Sequence, residues 1–211
     1  MGLRCYIKQL AIFVCYTYNI IVKHQVFIVW FVIFLVWAFY RSSFFLPELM
    51  DEFLIKPLIF VLPVLYVVLK REKKKISDLG LTAKPKVFFA DLYIGVVIGV
   101  LFALEGLLVN FLKYGKFSFL PILASKLSGG IFIFILINLA TSVWEEILGR
   151  GYLYKRLYKE SNNQFGAAFT SSFLFLLLHV PILFTRLHLT GVSLIVYPVS
   201  IMLLGITNSY V

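Results

Sequence analysis

The feature that most constrains this chain is the length of its apolar stretches. Six of them run over residues 26–46, 53–69, 88–112, 129–148, 165–180 and 192–211. Each comes near the roughly 20 residues that carry an α-helix across a ~30 Å hydrocarbon core. A weaker stretch over 9–22 is marginally long and suits either a first span or a segment lying along the interface. Inside lipid the backbone must satisfy its own hydrogen bonds, and apolar runs of this length do so as helices. The fold expected is therefore all-α, a polytopic transmembrane helical bundle of about six to seven helices. Composition excludes the alternative of a soluble domain. Hydrophobic residues make up 61% of the 211 positions and charged residues 14%, too few to cover a water-exposed surface.

The formal charge of +10 does not point to nucleic acid, because no soluble stretch is long enough to fold and present it. The densest run, Lys70-Arg71-Glu72-Lys73-Lys74-Lys75, directly follows an apolar stretch. That pattern marks a cytoplasmic loop facing anionic lipid headgroups. The basic stretches 70–86 and 150–159 then lie on the cytoplasmic side, and the weakly charged loops near 48–52 and 181–191 on the other. Lys113, Lys116 and Lys126 dilute the contrast. Two organisational units follow: residues 1–75, N-terminal transmembrane helices and the basic loop, and residues 76–211, an intramembrane core. Cys5 and Cys15 make neither a disulfide framework nor a metal set. Arg4 and Lys8 precede an apolar stretch without a small-x-small cleavage site, and Tyr6 stands where a myristoylation signal has Ser or Thr, so the segment is read as retained.

Ionisable groups inside a bilayer are costly and are functional candidates by default. Asp91 lies close to a basic loop and is read as an interface residue. Glu105, in the middle of its stretch, is read as a helix-packing hydrogen-bonding group. Glu145 and Glu146 come with organised neighbours, in Trp144-Glu145-Glu146-Ile147-Leu148-Gly149-Arg150-Gly151. Glu146 and Arg150 are four apart and share a helical face, where carboxylate and guanidinium can neutralise each other. Glu145 then points to a neighbouring face without a partner on its own helix, and a lone carboxylate in a low dielectric suits a general base. One apolar stretch later, Phe175 and His179 are also four apart. Helix rise places Glu145 about 15 Å above Lys155 and His179 about 21 Å above Phe165, similar depths from one interface, so that the pair can hold a water between them. The plainer alternative is a structural salt-bridge cluster with a packing histidine.

The pattern EExxxR followed by FxxxH on successive transmembrane helices resembles that of the CPBP intramembrane proteases, which include type II CAAX prenyl endopeptidases and bacteriocin-processing or self-immunity proteins. Leu79-Gly80-Leu81 after the basic loop is similar to that family's lead-in, and the resemblance covers 76–211. It implies an intramembrane endopeptidase in which Glu145 and His179 activate the attacking water, Glu146 and Arg150 form the supporting ion pair, and Phe175 lines the substrate pocket. It implies a prenylated C-terminal peptide or a membrane-associated leader peptide as substrate, and a multi-pass location in the plasma membrane for a prokaryotic member. On the metal it stays open: a divalent ion such as zinc on Glu145 and His179, or none. There is no HExxH, and His24, His179 and His188 are not spaced as one ligand set.

Two departures stand out. Gly149 replaces the bulky aromatic residue often found before the arginine, which predicts looser packing there. The family's third motif, HxxxN, is absent: Asn208 has Leu204 four residues before it, and Leu203-Leu204-Gly205-Ile206 resembles the run that leads into that motif. A chain cut short before the motif is the expectation, with oxyanion donors worth ~2.7–4 kcal/mol missing. A catalytically weak or inactive immunity or peptide-binding protein on the same scaffold is therefore the alternative function, and a transporter built around Glu105 a more distant one.

Overall fold

The computed structural model describes residues 24–81, 85–117, 130–187 and 191–210. All regular structure among them is helical. Six main helices follow in order: α1, His24–Ser43, and α2, Glu48–Arg71; α3, Pro85–Tyr114; α4, Phe132–Ser161; α5, Gln164–Ile182; and α6, Ser193–Asn208. Helices α1, α2, α4 and α5 are long and apolar enough to cross a membrane, while α6 and the apolar part of α3, Leu92–Leu108, are shorter. The expected helical membrane bundle is what the chain forms. The weak stretch 9–22, Cys5, Cys15, His188 and the side chain of Asp91 lie outside the described residues.

Local chemistry sets the helix ends that matter for the site. Asn162, in the left-handed conformation at φ 50°, stops α4, as a short polar side chain does at a helix C-terminus. Asn163 caps α5, its side-chain oxygen accepting from the Gly166 amide at 3.0 Å. The two asparagines turn the chain back on itself. Glu145 lies 17 residues before Asn162 and His179 16 residues after Asn163, so both sit roughly 25 Å from this turn. Helix α2 carries Pro57 and Pro63, which lack an amide proton, and it widens to i→i+5 hydrogen bonding over Asp51–Ile55, Pro57–Val61 and Val67–Arg71. Helix α4 widens in the same way over Ile147–Tyr154.

Packing joins the N-terminal helix pair to the later helices in one core. Ile33 and Trp37 of α1, Phe60, Val64 and Val68 of α2, Leu148 and Tyr152 of α4, and Leu174 and Leu178 of α5 are buried together. Outward faces carry Phe31, Phe39, Leu62, Phe169 and Phe173, as suits a surface whose solvent is hydrocarbon.

Two boundaries differ from expectation. Helix α2 begins at Glu48, so the supposed loop near 48–52 is helix, with Asp51 and Glu52 only 1% and 7% exposed. Helix α5 passes through Pro181 and continues in wide turns over Leu183–Leu187, where a loop was expected. Charge in the first run and proline in the second mimic a loop. The basic stretch 150–159 completes α4. The two basic stretches do gather at one end of the bundle. Arg156 donates to Glu72 through Nε at 3.0 Å and Nη2 at 2.8 Å, and Lys74 joins the same carboxylate at 2.9 Å.

Candidate active site

Glu145 and Glu146 are the last residues of regular α-geometry in α4 before its wide turns begin. Such turns within an α-helix are often found at functional sites. Arg150, inside them, pairs with Glu146 at 3.3 Å, as the spacing of four predicts. Its guanidinium lies 5.5 Å from the centre of the Phe175 ring and also reaches the Leu204 carbonyl at 3.5 Å. Arg150 thus ties α4 to both α5 and α6. Gly149 faces Phe175: a Cβ there would stand 3.7 Å from the ring, so Phe175 occupies the space that an aromatic residue at 149 would need. The neighbouring glycine is under tighter constraint. A Cβ on Gly151 would come within 2.7 Å of the Leu79 carbonyl oxygen, so the absence of a side chain lets the Leu79-Gly80-Leu81 segment lie against α4.

His179 is anchored to its own helix. Nδ1–H donates to the Phe175 carbonyl at 3.0 Å, which leaves Nε2 as the free ring nitrogen. The Phe175 and His179 rings meet edge to face at 4.8 Å, and the ring of Tyr197 on α6 lies 6.4 Å from that of His179. Tyr197 also lies in the field of the Glu145 carboxylate. No direct hydrogen bond joins Glu145 to His179 among the described residues; each is held by a different partner.

The partner of Glu145 is Lys56. Its ammonium lies 2.9 Å from Glu145 Oε1 and 2.8 Å from Glu52 Oε2, and the lysine is 5% exposed. The lone carboxylate expected at 145 is therefore corrected: it has no partner on its own helix, but α2 supplies one. Thr141 donates to Glu52 Oε2 at 2.6 Å, and the Trp144 indole donates to the Glu52 carbonyl at 2.9 Å. Deeper still, Arg41 pairs with Asp51 at 2.9 Å and approaches Glu52 at 3.8 Å, while Tyr40 donates to Asp51. Lys56, Glu52, Asp51, Arg41 and Tyr197 were not among the expected site residues. Lys56 carried a usable signal, because a lysine four residues after a glutamate inside an apolar stretch is itself an intramembrane charge.

A cavity of about 530 Å³ opens at the Glu146–Arg150 pair, lined by Leu79, Glu146, Arg150, Gly151, Lys155 and Tyr210 among others. It connects the basic end of the bundle to the Glu146–Arg150 pair, whereas Glu145 and His179 are not in its lining. Among the described residues no three His, Cys, Asp or Glu gather closely enough to hold a metal ion. With a cation already on Glu145, this donor set does not fit a metal. Glu105 is explained by packing, as expected, since it accepts a hydrogen bond from Ser200 on α6.

Residues 127–211 match the family described as type II CAAX prenyl endopeptidase, Rce1-like. That stretch contains Glu145, Glu146, Arg150, Phe175 and His179, and leaves α1 and α2 outside it. No curated protein and no solved structure matches the chain.

Proposed function

Because the chain belongs, through residues 127–211, to the Rce1-like branch of the CPBP/CAAX protease family, we propose that it is an intramembrane endopeptidase acting on prenylated CAAX-type or membrane-associated leader peptides. The observation that carries the reading is the placement of Glu145 and His179 at one depth on adjacent antiparallel helices, each with one polar atom held and one free. Glu145 has Oε1 on Lys56 and Oε2 uncommitted to that lysine; His179 has Nδ1 on Phe175 and Nε2 uncommitted.

In the proposed reaction Glu145 takes a proton from water while the water oxygen adds to the scissile carbonyl carbon. The tetrahedral intermediate then collapses, the C–N bond breaks, and the amine leaves with the proton that Glu145 received. His179 Nε2 orients the water. Glu146 and Arg150 keep α4 and α5 in register and border the cavity at the basic end. No step is routed through a metal.

The test is hydrolysis of a farnesylated reporter peptide by the purified chain, run beside Glu145→Ala and His179→Ala. The parent should cleave, and each variant should lose on the order of 10²-fold or more in kcat, the lower end expected for removal of a general acid–base group. Normal cleavage by Glu145→Ala would show that another group is the base. A folded parent without activity would favour the immunity or peptide-binding reading.

A further inference from the structure

Helices α1 and α2 lie outside the family match, yet they hold both helices that carry the proposed chemistry. The indoles of Trp30 and Trp37 donate to the Leu174 and Leu178 carbonyls of α5, at 2.9 and 3.1 Å, one residue before Phe175 and His179 respectively. On the other side, Lys56 reaches Glu145, and Glu52 receives Thr141 and Trp144. Charge accounting gives Lys56 a distinct role. Arg41 and Lys56 face three carboxylates, Asp51, Glu52 and Glu145. Lys56 makes the salt bridge to Glu145 and is itself fixed by Glu52. A charge-assisted bond of this kind is short and directional.

We propose that Lys56 is a positioning residue of the hydrolytic site: it clamps Glu145 Oε1 and turns the other oxygen toward the water. This rests on Glu145 being the base. Removing the ammonium leaves a buried carboxylate without compensation, which then takes up a proton or swings out of place.

Lys56→Met and Lys56→Ala, with Lys56→Gln as a second choice if either fails to fold, are compared with the parent for melting temperature and elution in detergent. The kinetic expectation is a fall in kcat of about 10²-fold, the effect of a small misplacement of a catalytic group, with KM little changed. Added propylammonium should restore part of the kcat of Lys56→Ala, while 1-propanol should not, because the missing element is a charge. A second readout is independent of hydrolysis. Dicyclohexylcarbodiimide modifies neutral carboxyl groups within membranes, so Glu145 should resist it in the parent and be labelled in Lys56→Met, as read by peptide mass spectrometry.

Parental kcat in the Lys56 variants, with Glu145→Ala inactive, would overturn the role of Lys56 and leave the endopeptidase reading standing. Reduced kcat with no rescue and no change in labelling would mark Lys56 as a packing residue and also overturn the proposal. If the parent cleaves nothing, the endopeptidase reading fails, and the labelling pattern alone decides whether Lys56 clamps Glu145.

Discussion

Arg41 is 3% exposed and Asp51 1%, two ionisable groups buried within the bundle. They are tolerable there because each is matched: Arg41 by Asp51 at 2.9 Å and by the Trp37 ring, 4.2 Å from its guanidinium, and Asp51 further by Tyr40. Removing one member of a buried pair strands the other, at a typical cost of about 3–5 kcal/mol. Arg41→Met should therefore lower the melting temperature in detergent sharply, and Arg41→Met combined with Asp51→Leu should recover much of the loss. A double variant as unstable as the single one would show that the pair is not the reason for the instability. Residue-scale inference from sequence worked where partners are close along the chain. Glu146–Arg150 and Phe175–His179 were both legible because a spacing of four means contact on any helix. Glu145–Lys56 was not, since 89 positions separate them and no periodicity rule spans that distance.

At the scale of helices, two glycines set how closely elements approach. A Cβ at Gly151 would meet the Leu79 carbonyl oxygen at 2.7 Å, and one at Gly205 would meet Ser172 Oγ at 2.6 Å and Cβ at 2.8 Å. The second site is where α6 crosses α5, the kind of small-residue contact that lets membrane helices pack tightly. In neither case can a side-chain rotation relieve the clash, because a carbonyl oxygen and a serine Cβ move only with their main chain. Gly151→Ala and Gly205→Ala should each destabilise by about 1–3 kcal/mol, read as a lower melting temperature in detergent. The helices themselves were legible, because apolar length is nearly sufficient to define them. Their ends were not. Asp51 and Glu52 read as loop residues only until Arg41 and Lys56 are seen beside them.

Across the whole molecule, the basic end is closed by Glu72. Burial alone would raise its pKa, but its hydrogen bonds with Arg156 and Lys74, and their charges, outweigh this and hold it below the ordinary glutamate value. The folded state thus binds this proton less readily than the unfolded chain does. The linked stability is present in full above the ordinary glutamate pKa and is lost as pH falls through the depressed folded value. Thermal melts of the parent should stay level on this account between about pH 7 and 5.5 and decline in more acidic buffer, given an unperturbed glutamate pKa near 4.3. Glu72→Gln should start from a lower melting temperature and show a shallower decline. An identical acid decline in parent and variant would show that other carboxylates govern it.

The charge cluster also has a consequence for how the protein is made. Within α1 and α2, Arg41 and Lys56 already balance the buried Asp51 and Glu52. Helix α4 carries Glu146 matched by Arg150 four residues on, and Glu145, a carboxylate with no ion pair on its own helix. The Lys56 ammonium is shared between Glu52 and this later carboxylate. The first two helices thus act as a built-in chaperone, holding the counter-charge for a carboxylate that follows much later in the chain.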